Sequence, residues 1–245
     1  MKRRMTPQQL TDELRTVCGT HLRAVILYGS AATGDHVGGR SDYNVLVVLD
    51  RVDLDALDAL APLVRRWVKA GHPAPLLWTP DGLAAAADSF PLEIADIKAG
   101  HVVLFGEDVV RDLPVHAAHL RLELEHELRG KLLALRQQYL LAQGRPRDVT
   151  ALMTRSLSTF LVLCRGALRL YQQDVPLNKM DALAALAGHI RISTETFAAV
   201  HALKTGRGTT GVPPATLFAQ YLQAVESFVD AVDVQLRATG KEERP

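Results

Sequence analysis

The chain has 245 residues, and its 28 Lys and Arg residues nearly balance its 27 Asp and Glu residues, which gives a formal net charge of +1. Apolar residues make up 48% and charged residues 22%, proportions that argue against a disordered chain, a collagen-like repeat and a membrane-embedded bundle. The near-neutral charge excludes a global basic field that would hold nucleic acid without sequence preference. Two cysteines, Cys18 and Cys164, are too few for a disulfide framework or a cysteine-rich zinc module.

The N-terminal sequence and the most apolar segment of the chain predict where the protein resides. The N-terminal sequence MKRRMTPQQL is basic but is not followed by an apolar stretch, so we expect no secretory signal. The most apolar later segment, LSTFLVLCRGALRLY, is interrupted by Arg165 and Arg169, and we expect it to be too short and too charged to span a bilayer. These features predict a cytoplasmic protein with no membrane partner.

Short apolar runs alternate with helical patterns over roughly the first hundred residues. Thr6, Pro7 and Gln9 form a capping-box pattern, which predicts a helix that begins there and ends near Gly19. The segment FPLEIADIKAG fits both a helix and a strand. The other predicted elements are a strand over 22–29, a strand over 43–49, a helix from Asp53 to Gly71, a strand over 74–79, a helix from Thr79 and a strand over 101–106.

From about Leu113 onward the pattern is almost purely helical and predicts four or five helices. In the first of them, apolar residues spaced by three and four from Leu113 to Leu135 form one face that should be buried. Breaks are predicted at 143–146, 175–176 and 204–214. We therefore expect an α/β core over 1–110, an all-α helical bundle over 111–240 and a frayed tail over 241–245.

The segment AVILYGSAATGDHVGGRSDYNVLVVLD carries the pattern most typical of a chemical site. Gly29 permits a tight turn that exposes backbone N–H groups at the end of a strand, and Ser30 adds a hydroxyl beside them. Such a turn can bind a phosphate group. Asp42, at the start of the neighbouring strand, can face the same spot and hold a divalent cation bound to that phosphate.

This segment resembles the nucleotidyltransferase superfamily, whose members share a polymerase-β-like core. The family pattern is an apolar strand, a Gly followed by Ser or Gly, a spacer, and then acid–apolar–acid on the next strand. Gly29 and Ser30 match the turn, eleven residues separate Ser30 from Asp42, and Asp42 matches the first acid. The helical second half and the LFGED segment are similar to parts of the antibiotic and the small "minimal" nucleotidyltransferases. The resemblance implies a mixed sheet with helices, followed by a helical domain.

The sequence departs from the family pattern at the second acid, where Asn44 stands. Asp42 and Asn44 alternate correctly to lie on one face of a strand, but Asn offers a neutral carbonyl oxygen instead of a charge. The third family acid usually comes from a later strand, and the corresponding segment APLLWT contains no acid. Glu93 and Asp96, three residues apart, would share one face of a helix and could supply the missing acid if that segment folds back to the site.

The resemblance implies a nucleoside triphosphate such as ATP as substrate, Mg²⁺ as cofactor, and transfer of a nucleoside monophosphate to a hydroxyl group. A two-metal site needs several carboxylates, whereas one Asp and one Asn could hold a single Mg²⁺ bridged to the triphosphate. The acceptor is left open between a small molecule, a protein and an RNA end, and no DNA partner is expected. The implied roles are phosphate binding by Gly29, Ser30, Arg40 and Ser41, metal binding by Asp42 and Asn44, and a catalytic base at Glu93 or Asp96.

Two other functions remain open from the sequence. A catalytically degenerate module could keep the fold, bind a nucleotide or a partner, and form a homodimer through its helices. Alternatively, the helical half could act as a HEPN-like ribonuclease, because Arg121 with His126 and Arg111 with His116 fit the loose Arg-x4-His pattern of such domains.

Overall fold

The computed structural model describes residues 4–32, 42–206 and 211–239 of the chain. The chain divides into two compact units, Met1–His116 and Ala117–Pro245. The first unit is built on a four-stranded sheet with helices on both faces, and the second unit is helical. This architecture confirms the predicted fold class.

The sheet of the first unit is mixed, with the strand order β3-β2-β1-β4. Its strands are β1 (Leu22–Tyr28), β2 (Asn44–Leu49), β3 (Leu76–Trp78) and β4 (His101–Gly106). Strand β1 runs antiparallel to both of its neighbours, β2 and β4, whereas β2 and β3 are parallel. The helices of this unit are α1 (Pro7–Cys18), α2 (Leu54–Lys69), α3 (Pro80–Ala85) and α4 (Pro91–Ala99).

Side-chain caps fix the starts of three of these helices where the sequence predicts them. The Thr6 hydroxyl accepts a hydrogen bond from the Gln9 N–H, and the Gln9 side chain accepts one from the Thr6 N–H. Asp53 and Thr79 cap α2 and α3, each accepting from the N–H group three residues later. The segment that fitted both helix and strand is helix α4, with Pro91 as its first residue.

The two faces of the sheet are buried by different helices. Helices α1 and α2 cover one face, with Leu10, Leu14, Leu60, Leu63 and Trp67 packed against Val25, Leu27, Val45 and Val47. Helix α4 and the segment around α3 cover the other face, with Leu83, Ile94 and Ile97 packed against Ile26, Leu46 and Val48. Successive strand residues point to opposite faces. Tyr43, just before β2, accordingly packs on the α1–α2 side, and Asn44 has the opposite orientation.

The second unit contains five helices in the described residues, which confirms the predicted number. They are α5 (Ala117–Ala142), α6 (Pro146–Leu168), α7 (Lys179–Leu186), α8 (Thr194–Thr205) and α9 (Pro214–Thr239). The prediction that Leu113 lies in the first of these helices is wrong, because α5 begins at Ala117. Pro114 disfavours a helical backbone for the residue before it, and Leu113 is instead buried in the core of the first unit.

Helix α6 contains residues 157–168 of the most apolar segment of the chain and is longer than that segment because it begins at Pro146. By length and composition alone its 23 residues could cross a membrane, but 56% of its most apolar window is buried inside the structure. Phe160, Cys164 and Leu168 are almost fully buried. The apolar composition of α6 therefore serves the core of the helical unit.

Candidate functional site

The Gly-Ser turn and the start of β2 lie side by side at one edge of the sheet. Tyr28, the last residue of β1, pairs with Asn44, the first residue of β2. The chain then turns through a short 3₁₀ segment, Gly29–Ala31, which is closed by a hydrogen bond of 2.9 Å from the Ala32 N–H to the Gly29 carbonyl. We call Gly29, Asp42 and Asn44 the motif edge.

Gly29 and Asn44 are in close contact within the motif edge. The backbone of Gly29 has a φ of +78°, a conformation that L side chains rarely adopt. A Cβ atom at this position would lie 3.1 Å from Nδ2 of Asn44. The side chain of Asn44 therefore lies directly against the turn that is predicted to bind phosphate.

The remaining residues of the predicted phosphate and metal site differ in how far the structure describes them. Asp42 is exposed and Asn44 is half-buried, so a ligand from solvent can reach the carboxylate. The backbone of Ser30 forms the turn, but its side chain lies outside the described part of the chain. Arg40 and Ser41 are also outside the described residues, and their roles stay predictions.

Helix α4 places Glu93 within electrostatic reach of Tyr28, the last residue of β1. Ile94 and Ile97 pack α4 on the face of the sheet that also carries Tyr28. Burial, together with the nearby negative charge of Glu93, raises the pKa of Tyr28 to about 12. Tyr28 pairs with Asn44, so the charge of Glu93 acts on a direct neighbour of the motif edge.

Asp96 lies one turn after Glu93 on α4 and differs from it in exposure. Glu93 is exposed, whereas Asp96 is half-buried with its Oδ1 atom shielded from solvent. Exposure makes Glu93 the better placed of the two to meet an incoming acceptor. The roles of both residues as a catalytic base stay predictions.

Sequence reasoning did not single out Tyr28, which links the motif edge to α4. The sequence next to Gly29 could have predicted it, because the residue directly before the turn glycine is the last paired residue of its strand.

Strand β3 runs parallel to β2, with Leu46 opposite Leu76, and contributes no carboxylate. Strand β3 therefore does not supply the third family acid, and Glu93 and Asp96 on α4 stay the predicted sources.

The donor atoms of the motif edge suit one divalent cation better than two. Within residues 4–32, 42–206 and 211–239, no group of three or more His, Cys, Asp or Glu side chains is close enough to hold a metal ion. Mg²⁺ is commonly held by one or two protein oxygen ligands together with substrate phosphates. The Asp42 carboxylate and the Asn44 amide oxygen fit that coordination, and the histidines of α5 do not form a competing site.

The two Arg-x4-His pairs lie in different structural settings. Arg121 and His126 are both part of α5. Arg111 lies before α5, and its Nε donates to the Asp108 carboxylate over 3.2 Å. The HEPN-like ribonuclease hypothesis rests on these pairs alone and stays untested.

Comparison with known proteins bears on the fold. No protein-family model matches the chain, and no curated protein matches it. Among solved structures, it is similar to the spectinomycin adenyltransferase AAD(9) from Enterococcus faecialis, crystallised with ATP and spectinomycin. The TM-score is 0.57 and the sequence identity 11%, and the match covers 93% of this chain and 98% of the other. The chain thus has a nucleotidyltransferase-like fold over nearly its whole length.

Proposed function

We propose that the chain binds a nucleoside triphosphate with one Mg²⁺ at the motif edge and transfers the nucleoside monophosphate to a hydroxyl group of a small molecule. The observation that carries this proposal is the pairing of Tyr28 with Asn44, which brings the Gly29 turn and Asp42 to the same edge of the sheet. The similar fold of an adenyltransferase crystallised with ATP and an antibiotic supports both the nucleotide and a small-molecule acceptor.

Each residue of the motif edge contributes a different interaction with the triphosphate. Backbone N–H groups of the Gly29 turn donate to phosphate oxygens, and Asp42, assisted by the Asn44 amide oxygen, holds the cation. Mg²⁺, when bound, neutralises the negative charge that gathers on the phosphates. The protein then mainly positions the reacting groups, as is usual in phosphoryl-type transfer.

Glu93 completes the proposed reaction as the base. The acceptor hydroxyl oxygen forms a bond to the α-phosphorus, and the bond from that phosphorus to the bridging oxygen of the β-phosphate breaks. Pyrophosphate leaves with that electron pair, and the hydroxyl proton passes to the Glu93 carboxylate. The exposure of Glu93 and its electrostatic contact with Tyr28 support this role.

Nucleotide binding without transfer is the second candidate, and Asn44 favours it. A neutral amide in place of a carboxylate lowers the negative charge available to a cation, so a protein of this kind could bind MgATP and not turn it over. Both candidates share the same binding step. They differ only in whether pyrophosphate is released in the presence of an acceptor.

Calorimetric titration with ATP, GTP, CTP and UTP, with and without Mg²⁺, tests the binding step. We expect binding of at least one triphosphate that requires Mg²⁺, is abolished by Asp42→Ala and is strengthened by Asn44→Asp. Asp58→Ala, which removes an exposed carboxylate from α2, is the matched control and should bind like the wild type. Absence of Mg²⁺-dependent binding to all four triphosphates would overturn the proposal.

Pyrophosphate release in the presence of a panel of polyhydroxylated small molecules tests the transfer step. We expect Glu93→Gln to lose turnover while keeping its affinity for the Mg²⁺–triphosphate complex, and Asp96→Asn to keep both. Loss of turnover in Asp96→Asn but not in Glu93→Gln would identify Asp96 as the catalytic base. Nucleotide binding without pyrophosphate release in the presence of any acceptor would favour the second candidate.

A further inference from the structure

His72 is a buried histidine in the loop between α2 and β3, and nothing in the proposed reaction uses it. Only 3% of its surface is exposed. Its ring packs at a tilt against Trp67, with ring centroids 4.1 Å apart, and against Tyr43, with centroids 4.9 Å apart. The ring therefore lies between the α2 core and the residue that separates Asp42 from Asn44.

Both nitrogens of His72 make hydrogen bonds to the backbone of other segments. Nδ1 accepts from the Tyr43 N–H over 3.2 Å, and Nε2 lies 3.1 Å from the Met5 carbonyl, to which it donates. The neutral ring with its hydrogen on Nε2 satisfies both bonds at once. Tyr43 is the residue directly outside β2, beyond its last pair with β1. The bond to His72 thus fixes the backbone where Asp42 is attached.

The loop that carries His72 is itself held in place. The indole N–H of Trp67 donates to the Pro73 carbonyl over 2.8 Å. The Arg4 guanidinium donates to the carbonyls of Ala70 and Gly71 over 2.9 and 3.0 Å. His72 is therefore attached to a rigid support and can transmit that rigidity to Tyr43.

We infer that His72 is a positioning residue that holds the segment Asp42–Asn44 in its binding geometry; this rests on the proposed function. The ring fixes this segment through the hydrogen bond that its Nδ1 accepts from the Tyr43 N–H and through its contact with the Tyr43 ring. Removal of that acceptor should loosen the backbone between Asp42 and Asn44 and weaken nucleotide binding.

Two substitutions separate the hydrogen bond from the packing. His72→Phe keeps a ring between Trp67 and Tyr43 but removes the acceptor. His72→Asn places an amide oxygen near the position of Nδ1, which can accept from the Tyr43 N–H. Isothermal titration with MgATP compares both variants with the wild type at the same pH.

We expect His72→Phe to bind MgATP about tenfold more weakly than the wild type, the usual size of the effect of a lost buried hydrogen bond. His72→Asn should bind within about threefold of the wild type. His189→Phe makes the same exchange in the helical unit and should match the wild type. A His72→Phe variant that binds like the wild type would overturn the inference.

Amide hydrogen exchange at Tyr43 provides a readout that does not depend on nucleotide binding. We expect exchange at Tyr43 and its neighbours to be faster in His72→Phe while the rest of the first unit keeps its protection. Uniformly faster exchange across the unit would assign His72 to general stability and overturn the inference. If the wild type fails to bind MgATP, the proposed function and the proposed effect of His72 on nucleotide binding are both wrong. Amide exchange at Tyr43 then still shows whether the His72 ring holds the segment Asp42–Asn44.

Discussion

At the scale of single residues, the close contact between Gly29 and Asn44 offers the most direct test of the motif edge. Any side chain at position 29 must adopt the left-handed backbone and approach Asn44. We expect Gly29→Ala to lower the free energy of unfolding by about 1–2 kcal/mol because of that backbone cost, and to weaken Mg²⁺-dependent nucleotide binding by displacing Asn44. Urea denaturation and calorimetric titration measure the two effects.

Gly130→Ala is the matched control for this change. Gly130 lies on the exposed side of α5, and a Cβ atom there would meet nothing within 4 Å. We expect this variant to be more stable than the wild type by about 0.5–1 kcal/mol, because alanine favours a helix over glycine. Equal stability changes in the two variants would contradict a special role for the Gly29 turn.

The electrostatic contact between Tyr28 and Glu93 makes a second prediction at this scale. The negative charge of Glu93 disfavours the tyrosinate, so removal of that charge in Glu93→Gln should lower the pKa of Tyr28 below its wild-type value of about 12. NMR titration of ¹³C-labelled tyrosine measures the change, with Asp81→Asn on α3 as the control. An unchanged pKa of Tyr28 would place Glu93 away from the motif edge and remove the support for its role as a base.

At the scale of helices and strands, features encoded by neighbouring residues were predictable and features set by distant contacts were not. The starts of α1, α2 and α3 followed from Thr6, Asp53 and Thr79, whose side chains cap helices only a few residues away. Helix α4 gave no clear period, because buried residues surround most of its axis.

The residues of the candidate site also differ in whether the sequence around them predicts their role. Gly29, Asp42 and Asn44 were recognisable because they belong to one short pattern around a strand turn. His72 was not, because its partners Met5 and Tyr43 are 67 and 29 residues away in the chain. Nothing in the residues around position 72 indicates which backbone groups its ring will meet.

A hydrogen-bonded cluster connects the start of β4 to the turn that follows it. His101 Nε2 lies 3.0 Å from Oδ1 of Asp108, and the Arg111 N–H and Nε both donate to the same carboxylate. Burial opposes the charged form of Asp108, but the hydrogen bond and charge of His101, followed by those of Arg111, outweigh it and lower the pKa of Asp108 below its ordinary value.

This lowered pKa predicts the pH dependence of an Asp108→Asn variant. A carboxylate with a depressed folded-state pKa stabilises the protein above its unfolded-state pKa, and the contribution disappears as the pH falls through the folded-state value. The wild type should therefore be more stable than Asp108→Asn near neutral pH, and the difference should shrink below about pH 4. Urea denaturation across this range measures it, with the exposed Asp112→Asn as control. A difference independent of pH would mean that Asp108 acts through packing and not through its charge.

At the scale of the whole molecule, the first unit has all the parts of an independent domain. Both faces of its sheet are covered by helices of the same unit, and its core residues are almost fully buried. Gly29, Asp42, Asn44 and Glu93 also belong to this unit. Both tryptophans of the chain, Trp67 and Trp78, lie within it, so tryptophan fluorescence reports on this unit alone.

We therefore expect a fragment of residues 1–116 to fold by itself. Its tryptophan fluorescence should show one cooperative urea transition with a slope of about 1–2 kcal/mol per molar urea, as is usual for a small domain. The same fragment with Leu46→Asp should show none, because that change buries an unpaired charge in a fully buried strand position. A wild-type fragment without a transition would show that two helix-covered faces are not enough. The first unit would then need the helical unit to reach its folded state, and the motif edge would form only in the complete chain.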